Sequence, residues 1–242
     1  MSFFPPGAIL HEENNIRYQI CSEEYFESEY EMVVESRLIE GSIYSGFQVS
    51  RNVIEEGSKQ FINSSVVRII TVDTSADCLK VVGSIFAQDF TVFVDSQKSS
   101  STSKNLLILK KINQKLIQPL SSVSFREGDI VIGSGYGVRK EYQDQKIGKT
   151  LANLFVSVCT DSPYKLFCGL FYSKKASSIM VKEGGFLMCQ LQTENCKDIN
   201  PNISEYMKNN VEIVAYFDEN KEICSLQRLK HLNRQENPMQ IV

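Results

Sequence analysis

The chain has 242 residues, of which 42% are hydrophobic and 23% are charged, and its formal net charge is −3. This composition predicts one large globular domain with additions and excludes an intrinsically disordered chain. The acidic balance argues against general nucleic-acid binding, and no apolar run reaches the roughly 18–20 residues that cross a membrane. The seven cysteines form no C-x-x-C pair and only two histidines are present, so we expect no metal site and a cytoplasmic protein.

The first part of the chain predicts a strand, two helices and a pair of strands. Residues 1–14 are interpreted as an extended N-terminal arm, because Pro5-Pro6-Gly7 cannot form a helix. Apolar residues recur at helical spacing after Ser22 and again at 53–61, which predicts two helices. The first three strands, predicted from alternation or from β-branched residues, are 16–21, 66–73 and 79–87.

The middle of the chain carries an insertion. Residues 89–95 are predicted to extend the sheet, and the serine-rich segment 96–103 is predicted to be a mobile loop. Leucine and isoleucine at helical spacing predict a helix over 105–118. Loop and helix together form an insertion, 96–119, between the third and fourth predicted strands.

The stretch 129–159 joins a fourth strand, a charged turn and an amphipathic helix. Its strand places Gly133, Gly135 and Gly137 on one face, which predicts room for a thin ligand. The apolar stripe of its helix consists of Ile147, Leu151, Leu154, Phe155 and Val158. A helix that begins directly after a strand and a turn presents unpaired backbone N–H groups and the positive end of its dipole. The sequence therefore predicts an anion site at this point.

The last part of the chain predicts three strands and two helices. Residues 165–172 form a continuous apolar run, as expected for a strand buried on both faces. Ser173 can cap the helix that follows, and further strands are predicted at 186–192 and 211–218. Residues 221–242 are predicted to form a polar helix and an unstructured tail.

Two motifs resemble those of the GNAT acyltransferase superfamily. The run Gln143-Asp144-Gln145-Lys146-Ile147-Gly148 resembles the family's Q/R-x-x-G-x-G/A pyrophosphate loop, with Lys146 in place of the first glycine. The preceding 138–142 resembles the family's Val-x-x-x-Tyr lead-in to that loop. After one further strand, residues 174–186 are similar to the family's A-x-x-L-Y-x-x-x-G-F helix and its exit into the next strand.

This resemblance implies the fold and the general activity. The implied fold class is α/β, with a mixed, mostly antiparallel seven-stranded sheet, helices on both faces and an inserted helix between strands three and four. The acyltransferase domain would span 15–220. The implied reaction moves an acyl group from acyl-CoA, or from an acyl-phosphopantetheine on acyl carrier protein, to a small-molecule amine. The inserted helix loosely resembles the larger N-acyl synthases, which use carrier-protein or long acyl-CoA donors.

The resemblance also implies which residues bind the donor. The donor-binding candidates are Val138, Gln143, Gln145, Lys146, Ile147, Gly148, Lys149 and Thr150. Most of the binding would come from backbone N–H groups that point at the donor's phosphates. If the position of Lys146 requires a positive φ, its side chain costs about 1 kcal/mol there.

The family's usual acid and base are missing, so the catalytic candidates lie elsewhere. The positions of the usual glutamate and tyrosine fall near Ile132 and Val181. The substitutes considered are Tyr136, Tyr172 and Asp129, and each also has a structural interpretation. A buried thiol at Cys168 is expected to be inert.

Two other classes of function remain open. The first alternative is a catalytically silent GNAT-like module that binds acyl-CoA or a protein partner, which the missing acid and base favour. The second is a nucleotide-phosphate binder, which the absence of a Walker lysine-serine pair disfavours.

Overall fold

The computed structural model describes residues 4–39, 42–75, 80–98, 103–118, 125–182, 185–207 and 211–217. The predicted polar helix and tail at 221–242 lie outside these residues, as do residues 99–102 of the serine-rich loop. The chain divides into two compact units, one of residues 1–88 and 133–162 and the other of residues 89–132 and 163–242. No helix in these described segments is long and apolar enough to cross a membrane.

The first unit is built on strands in the order β1-β2-β3-β4-β5, and β5 contributes its residues from Gly133 onward. The five strands are β1 Ile9–Glu13, β2 Ile16–Ile20, β3 Val67–Asp73, β4 Lys80–Asp89 and β5 Ile130–Val138. The pairs β1–β2, β2–β3 and β3–β4 are antiparallel. Nearly every residue of β4 is buried, whereas β1 is mostly exposed, as suits an edge strand that carries charge.

The N-terminal strand corrects the predicted strand count. We predicted seven strands and an arm over 1–14, but the described residues contain eight strands because Ile9–Glu13 pairs with β2. The turn between them is Asn14-Asn15, and both residues have positive φ, 52° and 62°. Asparagine tolerates this left-handed conformation, which closes two-residue hairpins.

Four helices belong to the first unit: α1 Phe26–Leu38, α2 Ile43–Gly46, α3 Arg51–Asn63 and α6 Ile147–Thr160. Helix α1 packs against α3, and α6 packs against β3. The buried stripe of α6 includes Leu151, Phe155 and Val158, as its sequence period predicts. Packing along this stripe fixes the direction in which the N-terminus of α6 points.

The second unit combines the start of β5 with β6 Leu166–Phe171, β7 Phe186–Leu191 and β8 Val211–Phe217. The order is β5-β6-β8-β7, and β8 pairs antiparallel with both β6 and β7. Its helices are α4 Phe90–Lys98, α5 Lys104–Ile117, α7 Lys174–Lys182 and α8 Ile203–Tyr206. Helix α5 corresponds to the inserted helix that the sequence predicts at 105–118.

Helix α4 overturns the prediction that residues 89–95 extend the sheet. The β-branched and aromatic residues of this run favour a strand, yet Phe90–Lys98 is helical. The carboxylate of Asp89 accepts hydrogen bonds from the Thr91 N–H at 2.8 Å and the Thr91 hydroxyl at 2.7 Å. This cap at the start of the helix, together with packing of α4 on α5, outweighs the local strand propensity.

A buried carboxylate ties α1 to β3, to β4 and to the residue that follows β2. Glu29 has no exposed surface and accepts hydrogen bonds from Ser84 at 2.8 Å and from the Cys21 thiol at 3.3 Å. Arg68 donates to the same carboxylate through Nε at 3.0 Å and also through its terminal nitrogen. Removing one member of such a cluster leaves the other polar groups buried without partners.

We therefore expect Glu29→Ala to destabilise the protein by about 3–5 kcal/mol in urea unfolding. The matched control is Glu55→Ala, which breaks the exposed ion pair with Arg51 on α3 and should change stability by less than about 1 kcal/mol. Equal losses in the two variants would contradict a structural role for the Glu29 cluster.

Candidate functional site

The candidate site is the turn that leads from β5 into α6. The chain leaves β5 at Val138, forms a 3-10 turn at Lys140–Tyr142 and enters α6 at Ile147. Asp144 and Lys146 are both left-handed, with φ of 66° and 64°. The first intrahelical hydrogen bond runs from the Thr150 N–H to the Lys146 carbonyl, so the preceding N–H groups face the open end of the helix.

The electrostatics of this helix end favour an anion. Helix α6 has 14 residues and no acidic side chain in its first turn. Lys146 is the N-terminal capping residue, and its side chain makes no capping hydrogen bond. The N–H groups and the dipole therefore point at a position that a ligand's phosphate oxygens can occupy.

The left-handed turn accommodates a lysine at the position where the resembling loop motif has its first glycine. Lys146 is exposed and its φ of 64° lies in the region that glycine enters without cost. A residue with a β-carbon there costs about 1 kcal/mol. This left-handed residue sets the position at which α6 begins, so the turn keeps its conformation despite this cost.

Two anchors hold the turn against the β3–β4 hairpin. The Tyr142 hydroxyl donates to Asp73 at 2.6 Å, and Nε of Arg139 donates to the Val81 carbonyl at 2.8 Å. Arg139 also pairs with Glu35 on α1. The hydrogen bond to Asp73 raises the pKa of Tyr142 to about 12, so this hydroxyl remains a donor at neutral pH. Asp73 lies 69 residues before Tyr142, and no local sequence signal predicts this contact.

The loop side chains mostly bond within the protein. The Gln143 amide donates to the Val138 carbonyl at 3.2 Å, and the Gln145 amide donates to the Glu141 carbonyl at 3.3 Å. Ile147 is buried, and the Thr150 hydroxyl shares a hydrogen bond with the buried Tyr18. Lys149 is exposed on the first turn of α6. The groups that this loop offers to a ligand are therefore chiefly backbone N–H groups.

Tyr136 lies at the open end of α6. A β-carbon added to Gly148 would collide with the Tyr136 hydroxyl, so glycine is required for this close approach. Among the described residues, the Tyr136 hydroxyl has no hydrogen-bond partner. Burial raises the pKa of Tyr136 to about 12, so its hydroxyl stays protonated and can donate a hydrogen bond to a ligand.

Gly135 and Gly137 of β5 do not leave open space where we expected it. A β-carbon at Gly135 would collide with the ring of Phe86, and one at Gly137 would meet the Ser36 hydroxyl at 2.7 Å. Both positions are thus filled by the protein's own side chains on that face. The glycines allow β4 and α1 to approach the strand.

The other catalytic candidates lie in the second unit, where the side chain of each forms hydrogen bonds or an ion pair with other protein residues. The Tyr172 hydroxyl donates to Asn113 on α5 at 2.6 Å. Asp129 pairs with Lys165 at 2.7 Å and accepts from the Arg126 N–H at 2.9 Å. Burial opposes the ionisation of Asp129, but these bonds outweigh it and hold the pKa below its usual value.

The positions near which the resemblance places the family's base and acid are occupied by apolar residues. Ile132 is fully buried in β5, and Val181 is exposed on α7. Cys168 is fully buried, and burial raises the pKa of its thiol, which therefore stays protonated.

Several solved structures with the same fold are N-acetyltransferases. A candidate arylalkylamine N-acetyltransferase 7 of the yellow fever mosquito Aedes aegypti aligns with a TM-score of 0.69 and 11% identity, over 88% of this chain and 96% of that one. Arylalkylamine N-acetyltransferase 2 of Aedes aegypti aligns with a TM-score of 0.65 and 12% identity, over 84% of this chain and 99% of that one. A Drosophila melanogaster polyamine N-acetyltransferase aligns with a TM-score of 0.60 and 11% identity, over 84% of this chain and 100% of that one.

These alignments confirm the predicted GNAT fold. The identities are too low to establish more than the fold. No protein-family model matches the sequence, and no curated protein sequence matches it.

The left-handed turn makes a prediction about stability. Replacing Lys146 by glycine should stabilise the protein slightly, by at most about 1 kcal/mol, because the strain of the β-carbon is removed. The same change at Lys149, which lies in the right-handed first turn of α6, should destabilise it by about 0.5–1 kcal/mol. Urea unfolding of both variants measures the difference. If Lys146→Gly destabilises as much as Lys149→Gly, the turn is not left-handed in solution.

Proposed function

We propose that this protein is an N-acyltransferase that moves an acyl group from acyl-CoA to a primary amine. The observation that carries the proposal is the open N-terminus of α6, preceded by a left-handed turn and anchored to the β3–β4 hairpin. The shared fold with N-acetyltransferases supports the same activity.

In this proposal the donor's pyrophosphate binds at the start of α6. Backbone N–H groups of Gln145 to Lys149 surround it, Gly148 allows close approach, and Val138 and Gln143 hold the loop through their mutual hydrogen bond. A pyrophosphate suits this end better than the single phosphodiester of a carrier-bound phosphopantetheine. We therefore infer CoA as the donor in preference to acyl carrier protein.

The proposed role of Tyr136 is to donate a hydrogen bond to the donor's phosphates. Its hydroxyl abuts Gly148 and stays protonated, so it suits an anionic acceptor and not the role of general base. Asp129 is held in its charged form by Lys165 and is a weak base. We propose that Asp129 anchors the start of β5 through its ion pair with Lys165, and that the Tyr172 hydroxyl orients the side chain of Asn113.

The proposed chemical step needs no strong base. A neutral amine nitrogen attacks the thioester carbonyl, the C–N bond forms and the C–S bond breaks. CoA leaves as the thiol, with the proton that the amine loses. Alignment of the amine with the carbonyl can supply most of the rate enhancement.

The first test of the proposal measures thiol release from acetyl-CoA in the presence of tyramine, agmatine or spermidine. The wild type should release thiol with at least one of these amines. Gly148→Glu should lower the rate about 100-fold or more, because it adds bulk and negative charge where the pyrophosphate binds. Gly57→Glu is the matched control, since a β-carbon on Gly57 meets nothing within 4 Å.

The outcomes separate the enzyme from its alternatives. Tight acetyl-CoA binding without turnover on any amine would indicate the silent binding module. Equal binding by the wild type and a folded Gly148→Glu variant would remove the α6 turn from the account.

The second test concerns Tyr136. Replacing it by phenylalanine should weaken acetyl-CoA binding about 10-fold, the usual loss for a hydrogen bond to a charged group. Turnover of acetyl-pantetheine, which lacks the pyrophosphate, should be unchanged in the same variant. An equal loss with both donors would instead assign Tyr136 to the chemical step.

A further inference from the structure

Helices α4 and α5 line an open groove within the second unit, separate in sequence from the turn before α6. Its volume is about 800 Å³, within the range of small-molecule sites. All of its lining residues belong to the second unit, and most lie on these two helices. The proposed acyl transfer assigns no role to this groove.

Five apolar side chains line the groove beside seven polar or charged ones. The rings of Phe90 and Phe125 meet edge to face, with centroids 5.8 Å apart. Val94 and Ile117 add aliphatic surface on α4 and α5. Such a surface favours a ligand with a hydrocarbon portion, because burial removes apolar area from water on both sides.

The rim of the groove is basic. Helix α5 carries four lysines and no acidic residue, in a chain that is net acidic. Lys98 pairs with Asp95 at 2.9 Å, and Lys115 pairs with Asp198 at 2.8 Å. Lys111 also lines the groove and forms no ion pair with any described residue. The rim therefore offers one uncompensated positive charge beside an apolar surface.

We propose that this groove binds a free long-chain fatty carboxylate. The hydrocarbon chain lies against Phe90, Val94 and Phe125, and the carboxylate pairs with Lys111. One uncompensated lysine matches a head group of one negative charge, whereas a polyphosphate would require several. The volume accommodates a long hydrocarbon chain.

The test is calorimetric titration of the full chain with oleate below its micellar concentration. We expect saturable binding of one oleate, binding at least about threefold weaker for oleyl alcohol, which lacks the charge, and much weaker binding for octanoate. The chain-length effect follows because each buried methylene contributes up to about fourfold in affinity.

Three variants locate the bound oleate. Val94→Trp fills the groove and should lower the affinity at least 10-fold, and Lys111→Gln should lower it about three- to 10-fold. The matched control is Lys104→Gln, an exposed lysine two turns earlier on α5 that does not line the groove. The affinity of Lys104→Gln for oleate should equal that of the wild type. Thermal unfolding verifies that each variant is folded.

Four results would overturn the proposal. If oleate binding does not saturate, or if oleate binds Val94→Trp and the wild type with equal affinity, oleate does not occupy this groove. Displacement of oleate by CoA would place the bound oleate at the acyl-donor site and not in this groove. Association with anionic lipid vesicles but not with monomeric oleate would make the groove a membrane contact.

Discussion

The left-handed turn at Asp144 and Lys146 is the constraint on which the proposed site depends. It ends the 3-10 turn and starts α6 at Ile147, so the first N–H groups of the helix face outward, and the first turn of α6 contains no acidic residue. A right-handed continuation would add a helical turn and close this anion site. The cost of lysine in this conformation, about 1 kcal/mol, is small beside the binding energy of a pyrophosphate.

The position of this turn follows from the core of the first unit. Its anchors, Asp73 and Val81, lie at the end of β3 and the start of β4. The buried Glu29 cluster connects these two strands to α1 through Arg68 and Ser84. The strands cannot shift without breaking that cluster, so the anchors and the turn stay in register. Preorganisation of this kind lets backbone groups bind a ligand without paying for a rearrangement on binding.

The sequence predicts the elements that depend on local signals. The stripe of α6 and the inserted helix α5 follow from helical periodicity, and both are present in the structure. The strand at Ile9–Glu13 was missed because the Asn14-Asn15 hairpin signal was overlooked. Strand propensity alone predicts that residues 89–95 extend the sheet, whereas the Asp89 cap and the packing on α5 make Phe90–Lys98 helical.

Long-range contacts explain the remaining differences at the site. The sequence identifies Tyr136 and Gly148 separately, but only the fold reveals that they touch. Likewise, the glycines of β5 predict a gap, and the fold fills it with Phe86 from β4 and Ser36 from α1. Contacts between distant segments have no signature in a single sequence, whereas periodicity and turn chemistry do.

The central claim is that the N-terminus of α6 binds the pyrophosphate of CoA. The most direct measurement is an NMR titration with CoA that follows the backbone amides of Ile147, Gly148 and Lys149. The account predicts large, saturable shifts of these amides, with smaller changes on the exposed surface of α3. Unshifted amides at these three residues under saturating CoA would contradict it.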